Sequence, residues 1–242
     1  MVRLSETEAA SPVRAAPTAV VVVVPVHDEE RLLSRCLHSV RRAAHNVPIP
    51  VRVVVVLDSC ADNSAHLVPP SAATVRIDAR NVGAARAAGF AFAAEEYGGG
   101  ERLWYSTTDA DSSVPTDWFT AQLAHARAAD VTAGTIAVRW RERTATVRAE
   151  YERRYHRHTV GGHHRHVHGA NLGFRAAWYH RVGGFAPKSV DEDVDLVTRL
   201  HAAGARIAWI DHPAVATSDR HDNRVRGGFA GYLTNLASTS PD

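Results

Sequence analysis

Apolar runs and helical spacings alternate along this chain. Ala19-Val20-Val21-Val22-Val23-Val24 has no polar position, the pattern of a strand buried on both faces of a parallel sheet, and Pro25 ends it. From Asp28 to Ala44 the apolar positions are Leu32, Leu33, Cys36, Leu37 and Val40, which is helical spacing. Val51 to Leu57 predicts a second buried strand and Thr74 to Ile77 a short third one. Asn81 is a natural N-cap for an alanine-rich helix that the Gly98-Gly99-Gly100 cluster ends. A short apolar strand then starts near Leu103 and runs into Asp109-Ala110-Asp111. Pro115 suits the first turn of a helix carrying Trp118, Phe119 and Leu123. Val131 to Val138 predicts a strand, residues 143–158 a helix, and Gly161-Gly162 a break. His168 to Phe174 reads as a tight turn feeding an extended segment. Arg175 to Val182 and Asp191 to Ala203 read as helices stopped by Gly183-Gly184 and Gly204. Arg206 to Ile210 and Ala214 to Thr217 predict two short strands before a polar, glycine-containing end.

Strands alternating with helices at this spacing predict a parallel sheet with helices on both faces. Ligands of such sheets bind beyond the carboxyl ends of the strands. Each of the first four predicted strands ends in polar, acid-bearing residues: His27-Asp28-Glu29, Asp58, Asp78 to Asn81, and Asp109 to Asp111. One crevice would collect them. On an extended chain Asp109 and Asp111 point the same way. Two carboxylates there suit a cation such as Mg²⁺, which takes one or two protein carboxylates and fills its shell with water and phosphate oxygens. The plainer alternative is a polar turn with an acid capping the next helix.

The 242 residues accommodate one large α/β domain or two small ones, and a 45% hydrophobic content is enough for a core. A net charge of +2 does not indicate a nucleic-acid binder, which would carry a concentrated basic face. Cys36 and Cys60 form no disulfide framework or zinc spacing, so a cytoplasmic setting is expected. No apolar run is long enough to span a bilayer, although contact with a membrane surface stays open. Nor does a signal-length apolar stretch precede the first strand.

In their order along the chain, these motifs resemble glycosyltransferase family 2 of the GT-A fold. The resemblance covers residues 19 to 215. It rests on Pro25-Val26-His27-Asp28-Glu29, on Asp58-Ser59 with Asp62-Asn63-Ser64, and on Asn81-Val82-Gly83 with Arg86 and Gly89. It continues through Asp109-Ala110-Asp111, Gly169-Ala170-Asn171 to Arg175, Val182-Gly183-Gly184-Phe185, and Glu192-Asp193-x-Asp195-Leu196-x-x-Arg199-Leu200. Ala87 stands where the family has Asn.

The implied fold is α/β, a Rossmann-like, mostly parallel sheet with helices on both faces and a smaller acceptor-side subregion. The implied layout is a disordered tail (1–18), a nucleotide-sugar-binding half (19–130), an acceptor-binding and catalytic half of the same domain (131–225) and a flexible C-terminal segment (226–242). The implied reaction moves a sugar from a nucleotide diphosphate to a discrete acceptor with inversion. Pro25, His27, Glu29, Asp58, Arg86, Asp109, Ala110 and Asp111 would hold the nucleotide sugar, with UDP expected first and GDP or dTDP as alternatives. Asp58 can accept a hydrogen bond from a pyrimidine N–H, and Arg86 suits phosphate. Asp111 with Asp109 would hold Mg²⁺ or Mn²⁺. The position of the histidine ligand of some relatives reads Thr217-Ser218-Asp219-Arg220, leaving His221 as a late candidate and His212 as an early one. Asp193 would be the general base, while His168, Gly169, Asn171, Glu192 and Trp140 would face acceptor or donor sugar.

Five histidines between 158 and 168 match no zinc spacing; a polar, mobile acceptor loop is the expectation, and a pH-sensitive loop an alternative. A sugar-nucleotide nucleotidyltransferase would call for a glycine-rich basic loop where this chain has His27-Asp28-Glu29. A catalytically idle nucleotide-sugar sensor or partner subunit is the third reading. The sugar, the acceptor and the oligomeric state are not written in these motifs.

Overall fold

The structure is a computed structural model that describes residues 14–155, 157, 159–160, 163–220 and 228–239. Its centre is a seven-stranded sheet. The strands are β1 (Ala19–Val26), β2 (Val51–Asp58), β3 (Ala73–Ile77), β4 (Leu103–Thr107), β5 (Val131–Arg139), β8 (Leu172–Arg175) and β9 (Ile207–Ser218), in the order β3-β2-β1-β4-β8-β5-β9. A separate two-stranded ribbon pairs β6 (Thr159–Val160) with β7 (His163–His164). Within the large sheet every pairing is parallel except those of β8, which runs antiparallel to both β4 and β5. The carboxyl ends of β1, β2, β4, β5 and β9 therefore share one edge.

The valine run of β1 explains the layering. Val21 and Val23 face one core with Ala85, Phe90 and Ala93 of helix α2 (Val82–Tyr97). Val20, Val22 and Val24 face the other, with Leu33, Cys36, Leu37 and Val40 of α1 (Leu33–Ala44) and Trp118 and Phe119 of α3 (Trp118–His125). Period-two alternation puts adjacent valines on opposite faces, so an all-apolar strand is what a two-sided core requires. Gly89 lets α2 lie close on the sheet, since a Cβ there would meet the Val23 and Val56 side chains. Asn81 caps α2 as expected, its side chain accepting the Ala84 N–H at 2.9 Å, and Gly98 ends the helix at φ 82°. On the first face α5 (Ala176–Arg181) and α6 (Glu192–Ala202) complete the core.

Three expectations change. The two short strands expected at 206–217 are one strand, β9, with a bulge: β5 pairs Gly134 with Ile210 and then Ile136 with Val215. The intervening polar residues are held from the side, as Thr135 Oγ1 donates to the Asp211 carbonyl at 2.7 Å. The C-terminal segment expected to be flexible carries helix α7 (Phe229–Thr239), whose Leu233 and Leu236 are buried against α4 (Ala145–Tyr155). Of the expected N-terminal tail, residues 1–13 lie outside the described residues, while Arg14 is ion-paired with buried Asp130 at 3.0 Å.

No helix among the described residues is long and apolar enough to cross a membrane.

Candidate active site

A crevice of about 680 Å³ runs along the carboxyl ends of the strands. It is lined by Pro25, His27, Glu29, Asp58, Arg86, Asp109, Ala110 and Asp111 from the first half of the chain, and by His168, Gly169, Glu192 and Asp193 from the second. Four non-glycine residues beside it adopt left-handed backbone: Asp28 (φ 53°), Ser59 (φ 53°), Arg80 (φ 48°) and Asp191 (φ 56°). Such conformations cost about 1 kcal/mol or more each and collect at functional sites. Here they turn the chain sharply after β1, β2 and β3 and before α6.

The first wall is built by Asp58. Its buried carboxylate accepts the backbone N–H groups of Ala79 (2.7 Å), Arg80 (2.8 Å) and Asn81 (2.8 Å) and the Ser59 hydroxyl (3.1 Å). These hydrogen bonds outweigh the cost of burial and hold its pKa below the ordinary carboxylate value. Asp58 therefore shapes the loop that leads into α2 as well as facing the crevice. His27 Nδ1 donates to the Asp58 carbonyl at 2.6 Å.

The centre is built by Arg86. Its guanidinium is buried, donates to Asp109 Oδ1 at 2.6 Å and to Thr107 Oγ1 at 3.3 Å, and ion-pairs with Glu192. Rather than lying open for phosphate, this arginine ties the end of β4 to the first turn of α6. Gly169 makes room for it, because a Cβ there would run into the guanidinium.

Asp109 and Asp111 do not lie on an extended strand. The Ser112 N–H donates to the Asp109 carbonyl at 3.0 Å, closing a turn, and Ser113 then bridges to Ala216 of β9. The turn sends the two carboxylates to different cations. Asp109 meets Arg86, while Asp111 lies beside Arg220 (3.5 Å), Ser112 Oγ (3.2 Å) and Thr217 Oγ1 (3.5 Å). Arg220 also binds Glu29 at 2.5 Å. Burial lifts the Asp111 carboxyl to about 6, against the pull of Arg220, with Asp109 and Glu29 adding to the rise.

Two carboxylates with hard oxygen donors suit Mg²⁺ or Mn²⁺, which need no full set of protein ligands when phosphates share the shell. Among the described residues, no third histidine, cysteine or carboxylate closes on this pair; the group that brings three such atoms within 4.8 Å is Asp28, Cys60 and Asp62, on the rim. His212 is exposed and off the crevice, and His221 lies outside the described residues. Arg220 is the residue that sequence reasoning passed over at this position. It lies 191 residues from Glu29 along the chain, a pairing with no local signal.

Across the crevice, Asp193 accepts the Gly169 N–H at 2.6 Å through Oδ2 and the Val194 N–H at 2.8 Å through Oδ1. Burial first, and the neighbouring Glu192 next, push its pKa up to about 6, although Arg86 and both N–H donors pull it down. Each oxygen keeps a lone pair beyond its backbone contact. Asp195 is spent on Lys188 (2.6 Å) and Arg199 (2.7 Å).

His164, His166 and His168 follow one another in a stacked column, with successive ring centroids 5.8 and 5.7 Å apart. Tyr155 stacks on His166 at 3.7 Å and meets His168 Nε2 through its hydroxyl at 3.3 Å. Burial drops the His168 pKa to about 3, so the ring is neutral at physiological pH. The described part of the histidine-rich stretch packs against Tyr155 beside the crevice; His156, His158 and Gly161-Gly162 lie outside the described residues.

Two candidates leave the site. Trp140 packs edge-on against Tyr151 at 5.5 Å in the small core under α7. Asn171 is buried, accepting from Trp118 Nε1 (2.8 Å) and donating to the Thr135 (2.9 Å) and Pro213 (3.1 Å) carbonyls, so its amide is fully used inside the fold.

Residues 21–183 match the family described as "Glycosyl transferase family 2". No curated protein matches the sequence. Among solved structures the chain is similar to S. aureus TarS 1–349, with 15% identity, a TM-score of 0.58, and coverage of 83% of this chain and 60% of that one. It is similar to the mannosyltransferase PcManGT from Pyrobaculum calidifontis in complex with GDP-Man and Mn²⁺ (18%, 0.59, 96% and 69%). A third is glucosyl-3-phosphoglycerate synthase from Mycobacterium tuberculosis with Mn²⁺, UDP and phosphoglyceric acid (17%, 0.58, 93% and 80%). The chain thus spans 60% of the length of the TarS fragment, and at these identities the likeness concerns the fold.

Proposed function

The chain belongs to glycosyl transferase family 2, and on that premise we propose that it transfers a sugar from a nucleotide-diphosphate sugar to a discrete acceptor, with inversion and with Asp193 as general base. The observation that carries this reading is the Asp109–Arg86–Glu192 bridge. It ties the proposed donor wall to the helix that carries Asp193, in a crevice that both Asp111 and Asp193 line, with the Asp193 pKa lifted to about 6.

The nucleotide would lie along Pro25, His27 and Asp58, with its diphosphate toward Asp109 and Asp111. Mg²⁺ or Mn²⁺, held by Asp111 with Asp109, would supply positive charge to the departing diphosphate. Arg220, already beside Asp111, adds a fixed cation on the same side. The neutral His168 wall and the Arg86-bound Glu192 would orient the sugars. Asp193 would take the acceptor hydroxyl proton, a task suited to a carboxylate whose pKa lies near 6. Attack from the side opposite the leaving group gives inversion. The solved structures named above that hold UDP or GDP-Man with Mn²⁺ support the choice of donor class. UDP is placed first among the nucleotides.

A thermal-shift screen of UDP-, GDP- and dTDP-sugars with and without Mg²⁺ or Mn²⁺ tests the donor, followed by donor hydrolysis for turnover. Metal-dependent stabilisation by one nucleotide class and slow hydrolysis are expected. Binding without any hydrolysis or transfer would favour a sensor, and no nucleotide binding would remove the proposal.

A further inference from the structure

Beyond the Arg220–Glu29 contact lies a second cavity of about 330 Å³ that shares only its Glu29, Ser218 and Arg220 rim with the crevice. Arg31 and Arg35 reach it from the turn into α1 and from α1 itself, Arg139 and Arg141 from the end of β5, and Arg220 from the segment after β9. Five guanidinium groups thus converge with three carboxylates, Glu29, Glu142 and Asp219, each of which has its own partner. Glu29 holds Arg220, and Asp219 Oδ2 accepts the backbone N–H groups of Arg141, Glu142 and Arg143 at 2.8, 2.9 and 3.0 Å. Among the described residues Arg31, Arg35, Arg139 and Arg141 form no ion pair. Arg35 spends one N–H on the Asp111 carbonyl at 3.4 Å, and its buried Nε has no hydrogen-bond partner.

Like charges brought together in a concavity repel one another, and among the described residues no carboxylate forms an ion pair with these four guanidinium groups. Planar guanidinium groups match phosphate oxygens two at a time, and a converging set of them is the arrangement that a phosphate group neutralises. We infer that this cavity is a binding site for a phosphate group, distinct from the place of the donor diphosphate. Burial and the charges of Arg35 and Arg141 lower the Arg139 pKa, which agrees with the convergence of these side chains. Because Arg220 lines both spaces, an anion here would compete with Asp111 for that guanidinium and so reach the reaction centre.

The test is calorimetric titration of inorganic phosphate into the full chain, in a buffer without competing anions, with and without saturating UDP. One saturable site is expected, weakened at least tenfold in the Arg139→Gln/Arg141→Gln variant and weakened in exposed Arg31→Gln, whose fold is not at risk. Phosphate affinity should persist with UDP bound. No saturable binding, equal affinity in the variants, or loss of phosphate binding when UDP is present would overturn the inference, the last by assigning the phosphate to the donor diphosphate. Should UDP itself fail to bind, the proposed function falls while the variant comparison still decides this site.

Discussion

In Asp193→Asn the proposed base is replaced by a neutral side chain of the same shape, so stability and turnover should move in opposite directions. The Asp193 carboxyl rises from its ordinary 3.8 to about 6 in the fold. At about 1.4 kcal/mol per pH unit, that rise means the ionised carboxylate destabilises the folded chain by about 3 kcal/mol. Between 3.8 and about 6 the folded chain still holds a proton that the unfolded chain has released. Stability therefore falls as pH rises through that window, and the deficit is complete above about 6. Asparagine removes the charge but keeps only one oxygen for the Gly169 and Val194 N–H groups, which returns about 1–2 kcal/mol of the gain. The net gain of about 1–2 kcal/mol corresponds to a Tm rise of about 2–8 °C at pH 7.5 for a chain of this size. Thermal denaturation at pH 7.5 and pH 4 reads it; the advantage should shrink at the lower pH. Turnover should fall about 10²- to 10⁴-fold, the usual contribution of a positioned base, with donor affinity unchanged. A variant less stable than the parent at pH 7.5, or one that keeps near-normal turnover, would refute the reasoning.

Further outcomes follow from the same geometry. The wild-type rate should lose activity along an acidic limb near pH 6 as Asp193 takes up its proton, a limb that a pH–rate profile resolves. Arg86→Ala leaves buried Glu192 without its partner and should cost about 3–5 kcal/mol in denaturant unfolding. Arg86→Lys should restore little, because a single ammonium cannot span Asp109 and Glu192. Chelation of divalent ions should weaken UDP binding at least tenfold by calorimetry; metal-independent affinity would remove the Asp111 role. Trp140→Ala should lower stability by about 3 kcal/mol through the lost packing on Tyr151, with acceptor KM unmoved.

The alternation of elements was legible because each core face repeats with the period of its element, and the valines of β1 and the spacing of α1 left little choice. The acids at the strand ends and the order of the motifs located most of the crevice. What stayed hidden depends on partners distant in sequence. Nothing near Asn171 announces that Trp118 and two carbonyls consume its amide. Trp140 reads equally as a sugar platform or as core until Tyr151 is placed beside it. The turn at Asp109 to Ser112 overrides the expected alternation because Ser113 is sewn to β9, a strand about 100 residues away. Helix α7 did carry a signal, since Phe229, Leu233 and Leu236 fall at helical spacing, but the polar and glycine-bearing surroundings outweighed so short a stripe.

The antiparallel strand β8 has a consequence for engineering. It comes from the later half of the chain yet lies between β4 and β5, and Arg86 crosses the same seam to Glu192. A chimera that exchanges everything after residue 130 for the corresponding part of a relative would replace a central plank of the sheet and one end of a buried charge triad at once. Segment exchange is therefore better confined to helix α7, which packs on α4 outside that seam, than made by swapping halves.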